Sequence, residues 1–235
     1  MKMCGRYARR STKKVLADWF GVDENSLPEF GPSFNIAPQT FQPIVRLSPE
    51  TGEREIIMMR WGLVPSWAKD ARGGAKRINA RAEGIAATPS FRAAIKTRRC
   101  LVPADAFYEW QKLGAKSRQP FAIAMHDETP YAFAGLWESW REPSGQVLET
   151  FTIITTDANE LLAPMHDRMP VILEPKDYDR WLQAGEAHEL PVDLLRSFPA
   201  ERMKLWRASS RVGNVRNDTE DLLHCDDDDA PSLWQ

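Results

Sequence analysis

The chain has 235 residues, 43% of them hydrophobic and 27% charged, with a formal net charge of −2. That is enough chain for one large domain or two small ones with a core that needs no covalent staples. Three widely spaced cysteines, Cys4, Cys100 and Cys225, with no C-x-x-C pair, argue against a disulfide framework and against a zinc site. No apolar run approaches about 18 residues and no signal-peptide pattern is present, so a cytoplasmic protein without a membrane partner is expected.

The charge is unevenly spread. All 31 Lys and Arg fall at or before Arg216, whereas the 19 residues that follow hold seven acids and no Lys or Arg. Thirty-one bases against twenty-six acids leave the body near +5, which permits binding to a polyanion without demanding it. The acidic stretch 218–235 is expected to be a disordered, solvated tail.

In chain order, residues 11–20 predict a short helix capped by Ser11 or Thr12 and stopped by Gly21. Loop then leads into Asn35-Ile36-Ala37-Pro38. Gln42–Leu47 and Arg54–Arg60 predict a hairpin around Pro49-Glu50-Thr51-Gly52. Trp61-Gly62-Leu63-Val64-Pro65-Ser66-Trp67 fits neither helix nor strand, with Trp61 expected in the core and Trp67 exposed for stacking or wedging. A polar, helical-looking stretch runs to about Lys96. The segment 100–110 begins extended, and three further strands are expected at Gln119–Met125, Tyr131–Trp137 and Glu149–Thr155. Met169–Leu173 should be a strand, Lys176–Ala184 a helix and Met203–Trp206 the last strand. Strands outnumber helices, which predicts an α+β fold with a strongly curved, mostly antiparallel, barrel-like sheet flanked by short helices.

Cys4 is chemically distinct if it begins the mature chain, since its α-amine then sits beside its thiol. A 1,2-aminothiol condenses twice with one aldehyde: the amine forms an imine, then sulfur adds to the same carbon and closes a thiazolidine. The amine titrates near ~8 and the thiol near ~8.5, so a fraction of each is nucleophilic at neutral pH. Met1-Lys2 conflicts with this, because methionine is normally trimmed only before a small residue. Translation from Met3 or self-cleavage before Cys4 would resolve the conflict, and the first is favoured.

Other polar residues among apolar neighbours could carry chemistry. Asn79 and Arg81, two apart in an extended segment, face the same way. Glu109 lies between Tyr108 and Trp110, where desolvation would hold a proton in reserve. His166 precedes Asp167-Arg168-Met169-Pro170. Arg6, Arg81 and Arg168 could each fork onto phosphate oxygens. Each has an ordinary alternative as a half-exposed acid, a surface hydrogen-bonding histidine or a solvating arginine, and the residues alone leave these open.

The ordered blocks are more specific. Met3-Cys4-Gly5-Arg6-Tyr7, Asn35-Ile36-Ala37-Pro38, Trp61-Gly62-Leu63-Val64-Pro65, Asn79-Ala80-Arg81-Ala82-Glu83, Arg99-Cys100-Leu101-Val102-Pro103, Phe107-Tyr108-Glu109-Trp110, His166-Asp167-Arg168-Met169-Pro170 and Val212-Gly213-Asn214 occur in that sequence. Together they resemble the SRAP (SOS-response-associated peptidase) family of abasic-site-processing proteins, over residues 3–217. The resemblance implies a monomer that acts on abasic sites in single-stranded DNA without a cofactor or metal. Cys4 would be the nucleophile, Glu109 a proton shuttle, His166 the general acid that opens the sugar ring, and Asn79 the residue that positions the sugar. Arg6, Arg81 and Arg168 would hold phosphates, Pro38 and Trp67 would cap neighbouring bases, and Thr155 would make a further contact. It also implies removal of residues before the cysteine and a possible β-elimination (lyase) outcome. A cysteine (auto)peptidase and a non-catalytic single-stranded DNA-binding protein are the competing readings.

Overall fold

The structure, a computed structural model, describes residues 5–114, 117–183 and 190–224. The first elements are β1 (Tyr7–Arg9), α1 (Lys13–Phe20), β2 (Ser33–Ile36), β3 (Phe41–Leu47), β4 (Arg54–Trp61) and β5 (Asn79–Arg81). Next come α2 (Ala94–Thr97), β6 (Arg99–Ala104), β7 (Ala106–Lys112), β8 (Arg118–Met125), β9 (Tyr131–Arg141) and β10 (Val147–Asp157). β11 (Arg168–Pro170), β12 (Ile172–Leu173), α3 (Tyr178–Leu182) and β13 (Met203–Arg207) complete the set.

Local chemistry sets the early elements. Thr12 caps α1 through Val15 N–H, and Gly21 ends it at φ 66°, the left-handed conformation that glycine adopts without a Cβ penalty. Leu16, Ala17 and Phe20 form its buried face. β3 and β4 pair along their length from Phe41↔Arg60 to Leu47↔Arg54, which gives the expected hairpin.

Two sheets make one α+β domain. β10, β4, β3, β6 and β9 pair in that order, and β9 pairs back onto β10, so five strands close a ring. Only β10 with β4 and β10 with β5 are parallel among these contacts. The second sheet has the order β13-β8-β7-β1-β2 and is antiparallel throughout. Period-two alternation sends the ring strands' side chains to two different cores. Val45, Leu101, Ala134 and Ile154 pack with the helices through Leu16, Phe20 and Trp181. Ile44, Val102, Phe133 and Ile153 pack with Tyr7, Phe107 and Ile123 of the second sheet. Trp61 is fully buried here, edge-on to Tyr7 and stacked on Phe151.

Four expectations differ from what is observed. The polar stretch after Glu83 is a series of turns with only one short helix, α2, because no apolar stripe spans it. Met169–Leu173 is not one strand: β11 pairs β10 and β12 pairs β9, with Val171 bridging to both through Ile154 O and Ala134 N. The helix expected at Lys176–Ala184 is shortened to a 3-10 turn followed by α3, and Ala184 lies outside the described residues. The acidic segment does not leave the body at 218. Asp218 accepts hydrogen bonds from Ser33 Oγ (2.9 Å), Asn35 N–H (2.9 Å) and Phe34 N–H, and Leu222 and Leu223 are buried. A carboxylate on two edge-strand N–H groups, followed by two apolar anchors, holds this segment in place. The rest of the tail, from Cys225, lies outside the described residues.

No helix among the described residues is long and apolar enough to cross a membrane. Cys100 is fully buried, and that burial pushes its thiol pKa far up, so it is no competing nucleophile in the folded protein.

Candidate active site

Cys4 lies outside the described residues, which begin at Gly5. The strand that follows it is firmly placed. β1 pairs β7 as Tyr7↔Phe107 and Ala8↔Ala106, and Arg6 O accepts from Tyr108 N–H (3.0 Å). The same register carried one residue further sets Gly5 across from Glu109. Glu109 is 5% exposed. Alternation puts it on the Phe107 face of β7, toward the core shared by the two sheets.

Asn79 and Arg81 reach that same side from β5. β5 runs parallel to β10 with Asn79↔Ile153 and Arg81↔Thr155, while Ala80 and Ile154 point together into the helix-side core. Asn79, Arg81 and Thr155 therefore share the face of Ile153, which packs in the core that also holds Phe107. Arg81 is exposed and available to a ligand. Thr155 is completely buried, with Oγ1 3.5 Å from Ala80 O, a placement that suits bracing the strand better than touching a ligand. The buried Nδ2 of Asn79 has no hydrogen-bond partner among the described residues.

His166 sits on a braced turn before β11. Asn159 caps the turn through Leu162 N–H (3.1 Å) and is itself tied to Phe198 O (2.8 Å), and His166 N–H donates to Leu162 O (3.0 Å). Two groups compete for its Nδ1: the Arg168 N–H at 2.9 Å and the Asp167 carboxylate at 3.0 Å. The amide can only donate, so it selects a lone pair on Nδ1 and leaves the proton of the neutral ring on Nε2. The Asp167 side chain is 87% exposed and interacts mainly with water. Nε2 is buried and has no partner among the described residues. Two buried donors, Asn79 Nδ2 and His166 Nε2, thus await an acceptor, a costly arrangement unless a ligand oxygen completes it.

The two remaining arginines are placed differently from the phosphate-holding expectation. Arg168 is 8% exposed, and its guanidinium is already committed to Glu83 (3.0 and 2.7 Å), Asp157 (2.7 Å) and Thr155 O (2.7 Å). Arg6 points to the opposite face of β1 from Tyr7. There it donates to Asn35 Oδ1 (2.6 Å) and Val212 O (2.7 Å) beside the Trp110 ring. Asn35 is the hub of this contact, since its Nδ2 also reaches Val212 O (3.3 Å), Asn214 O (3.0 Å) and Asn217 O (2.7 Å). The sequence blocks around Asn35 and Val212-Gly213-Asn214 meet here, an association that no local signal reveals.

Trp67 is 62% exposed, on a loop that is held at many points. Gly62 N–H donates to Phe151 O (2.8 Å), Leu63 N–H to Arg77 O (3.1 Å), Val64 N–H to Thr150 Oγ1 (3.0 Å), and Trp140 Nε1 to Ala68 O (2.7 Å). Gly62 is required at its position: φ is 125°, and a Cβ would come 2.7 Å from Gly74 O. Pro38 is half-buried, on the turn whose next residue, Gln39, bonds Trp61 O through N–H (2.9 Å) and Nε2 (3.0 Å). Both hydrophobic tips therefore stand on segments tied to the same Trp61-Gly62 backbone.

The curved α+β domain defines a fold class, and comparison with known proteins agrees with it. The model of the family "SOS response associated peptidase (SRAP)" matches residues 3–215. The chain belongs to that family. It is 40% identical over 224 residues to the abasic site processing protein YoqW of Bacillus subtilis, covering 94% of this chain and 99% of that one. It is 33% identical to the abasic site processing protein HMCES of Pongo abelii, covering 92% of this chain and 70% of that protein. Among solved structures, a protein from Bacteroides thetaiotaomicron superposes with a TM-score of 0.82 at 26% identity, covering 95% of this chain and all of that one.

Proposed function

We propose that this protein processes abasic sites in single-stranded DNA by forming a covalent thiazolidine with the lesion through Cys4. The observation that carries the reading is the pair of buried donors, Asn79 Nδ2 and His166 Nε2, that have no partner among the described residues, with a third polar side chain, Glu109, buried on the inward face of β7. An abasic sugar offers the acceptors such a site lacks, a ring oxygen and a hydroxyl. His166 Nε2–H donates to the ring oxygen as the hemiacetal opens, which releases the aldehyde, and Asn79 holds the sugar. The Cys4 amine attacks the aldehyde carbon, a proton passes through Glu109 to the departing oxygen, and water leaves to give an imine. The thiol then adds across the C=N bond, placing sulfur on carbon and a proton on nitrogen, with one water lost overall.

The names of the relatives support an abasic substrate, and Trp67 with Pro38 supports an unpaired strand, because stacking on exposed rings tolerates any base. Arg81 supplies a phosphate contact. Arg168 and Arg6 act from behind, the first by holding β5, β10 and the His166 turn together, the second by anchoring the segment that leads into β1, two residues after Cys4 in sequence. Removal of residues 1–3 precedes the reaction, because an acylated nitrogen cannot form the ring. If β-elimination competes at the imine stage, strand cleavage accompanies crosslinking. The proposal places the protein inside the cell, as a monomer.

The test is single-turnover crosslinking to an abasic oligonucleotide, followed on denaturing gels. His166→Ala and Glu109→Gln should each slow the reaction roughly 100-fold or more, the scale of lost general acid–base catalysis. Affinity for an oligonucleotide carrying an unreactive tetrahydrofuran analogue should stay within about twofold, since neither side chain is a phosphate anchor. Normal crosslinking rates in either variant would remove that residue from the mechanism.

A further inference from the structure

We infer that Glu83 is a positioning residue for His166, acting through Arg168. The inference rests on the proposed ring-opening role of His166 and assigns a task to a carboxylate that the mechanism does not otherwise use. Glu83 follows β5 by two residues and holds the Arg168 guanidinium with both oxygens, at 3.0 and 2.7 Å. Arg168 in turn binds Asp157 at 2.7 Å and Thr155 O at 2.7 Å, both on β10. One planar group therefore joins the end of β5, the end of β10 and the start of β11. A guanidinium suits this task because its donors lie in one fixed fork.

The backbone of the same residue performs the chemical step of positioning. Arg168 N–H donates to His166 Nδ1 at 2.9 Å, and that bond decides which ring nitrogen carries the proton. If the Arg168 side chain loses its grip, the amide can tilt or recede from the imidazole, and the tautomer that presents Nε2–H is no longer selected. Asp167, 3.0 Å from the same Nδ1, would favour the opposite tautomer. Glu83 thus acts on the sugar through two intervening residues, Arg168 and His166: its carboxylate sets the guanidinium, the guanidinium sets the β11 backbone, and the backbone sets the ring. Arg168 is internally neutralised by two carboxylates, which explains why an arginine beside the site is not free to hold a phosphate.

The experiment compares two oligonucleotides in single-turnover crosslinking at saturating DNA. One carries a natural abasic site, whose sugar must open. The other carries an acyclic aldehyde on the same backbone, which needs no ring opening. With Glu83→Ala, the natural site should react about tenfold or more slowly, the cost of a small misplacement of a catalytic group. The acyclic aldehyde should react within about twofold of the unsubstituted protein, and affinity for the tetrahydrofuran analogue should not fall, since the change removes a carboxylate and no cation. Glu83→Gln, which keeps the shape and one acceptor, should fall between the two and guards against a folding defect in the alanine variant. Equal slowing on both aldehydes would overturn the inference, as would unchanged rates on both, or a loss of affinity for the analogue at an unchanged saturated rate. Failure of the unsubstituted protein to crosslink the natural site would instead overturn the proposed function itself.

Discussion

Replacement of Cys4 by alanine is expected to abolish the heat-stable protein–DNA band. The variant keeps an N-terminal amine, because alanine is also small enough to allow removal of the preceding methionine. That amine can still form an imine with the abasic aldehyde. Without sulfur the imine has no ring to close into, and heating in water hydrolyses it. The expected result is therefore a band that falls to background after heating yet survives if borohydride is added first. The unsubstituted protein should give the reverse: a band that survives heat and gains nothing from borohydride. Cys100 cannot substitute, since it is sealed in the core with its thiol held protonated. A heat-stable band in the Cys4→Ala variant would place the nucleophile elsewhere.

The second large effect is expected at Asn35, in stability. Asn35 accepts from the Arg6 guanidinium and donates toward three carbonyls of the segment 212–217, all within a site where it is 4% exposed. Burial lowers the Arg6 pKa, and its hydrogen-bond acceptors are both uncharged. Asn35→Ala would leave part of a desolvated cation without an acceptor and strip a shared donor from three carbonyls. Losing a charge-assisted bond and leaving its partner unsatisfied costs about 3 kcal/mol. For a chain of this size that corresponds to a fall in Tm of roughly 10 °C, readable by circular dichroism. Crosslinking should slow as well, because Arg6 holds the strand two residues from Cys4. A Tm within roughly 2 °C of the unsubstituted protein would show that the anchor is dispensable.

Much of this was legible from local signals. Thr12 and Gly21 bound their helix by chemistry confined to that segment. The β3–β4 hairpin needed only a turn and two apolar runs. Exposure of Trp67 and burial of Trp61 followed from a loop rich in proline and glycine beside a strand. What could not be read is where distant segments meet. Alternation shows that Arg6 and Tyr7 face opposite ways, but not that Arg6 meets residues 212–217, more than 200 positions away. Arg168 reads as a loop arginine suited to phosphate, and only the sheet register brings Glu83 and Asp157 onto it. Asp218 reads as the start of an acidic run, whereas an edge strand turns its carboxylate into an anchor. The candidate residues stood out as ordered blocks, but which of them the fold ties up in internal hydrogen bonds, as it does Arg6 and Arg168, was not legible.

Mass mapping of the crosslink tests the central claim most directly. After reaction with an abasic oligonucleotide, nuclease digestion and chymotrypsin cleavage after Tyr7, the modified peptide should run from Cys4 to Tyr7. It should carry the sugar remnant with the loss of one water and resist borohydride. A remnant on a lysine, or a crosslinked peptide that still bears Met1, Lys2 or Met3, would contradict the account.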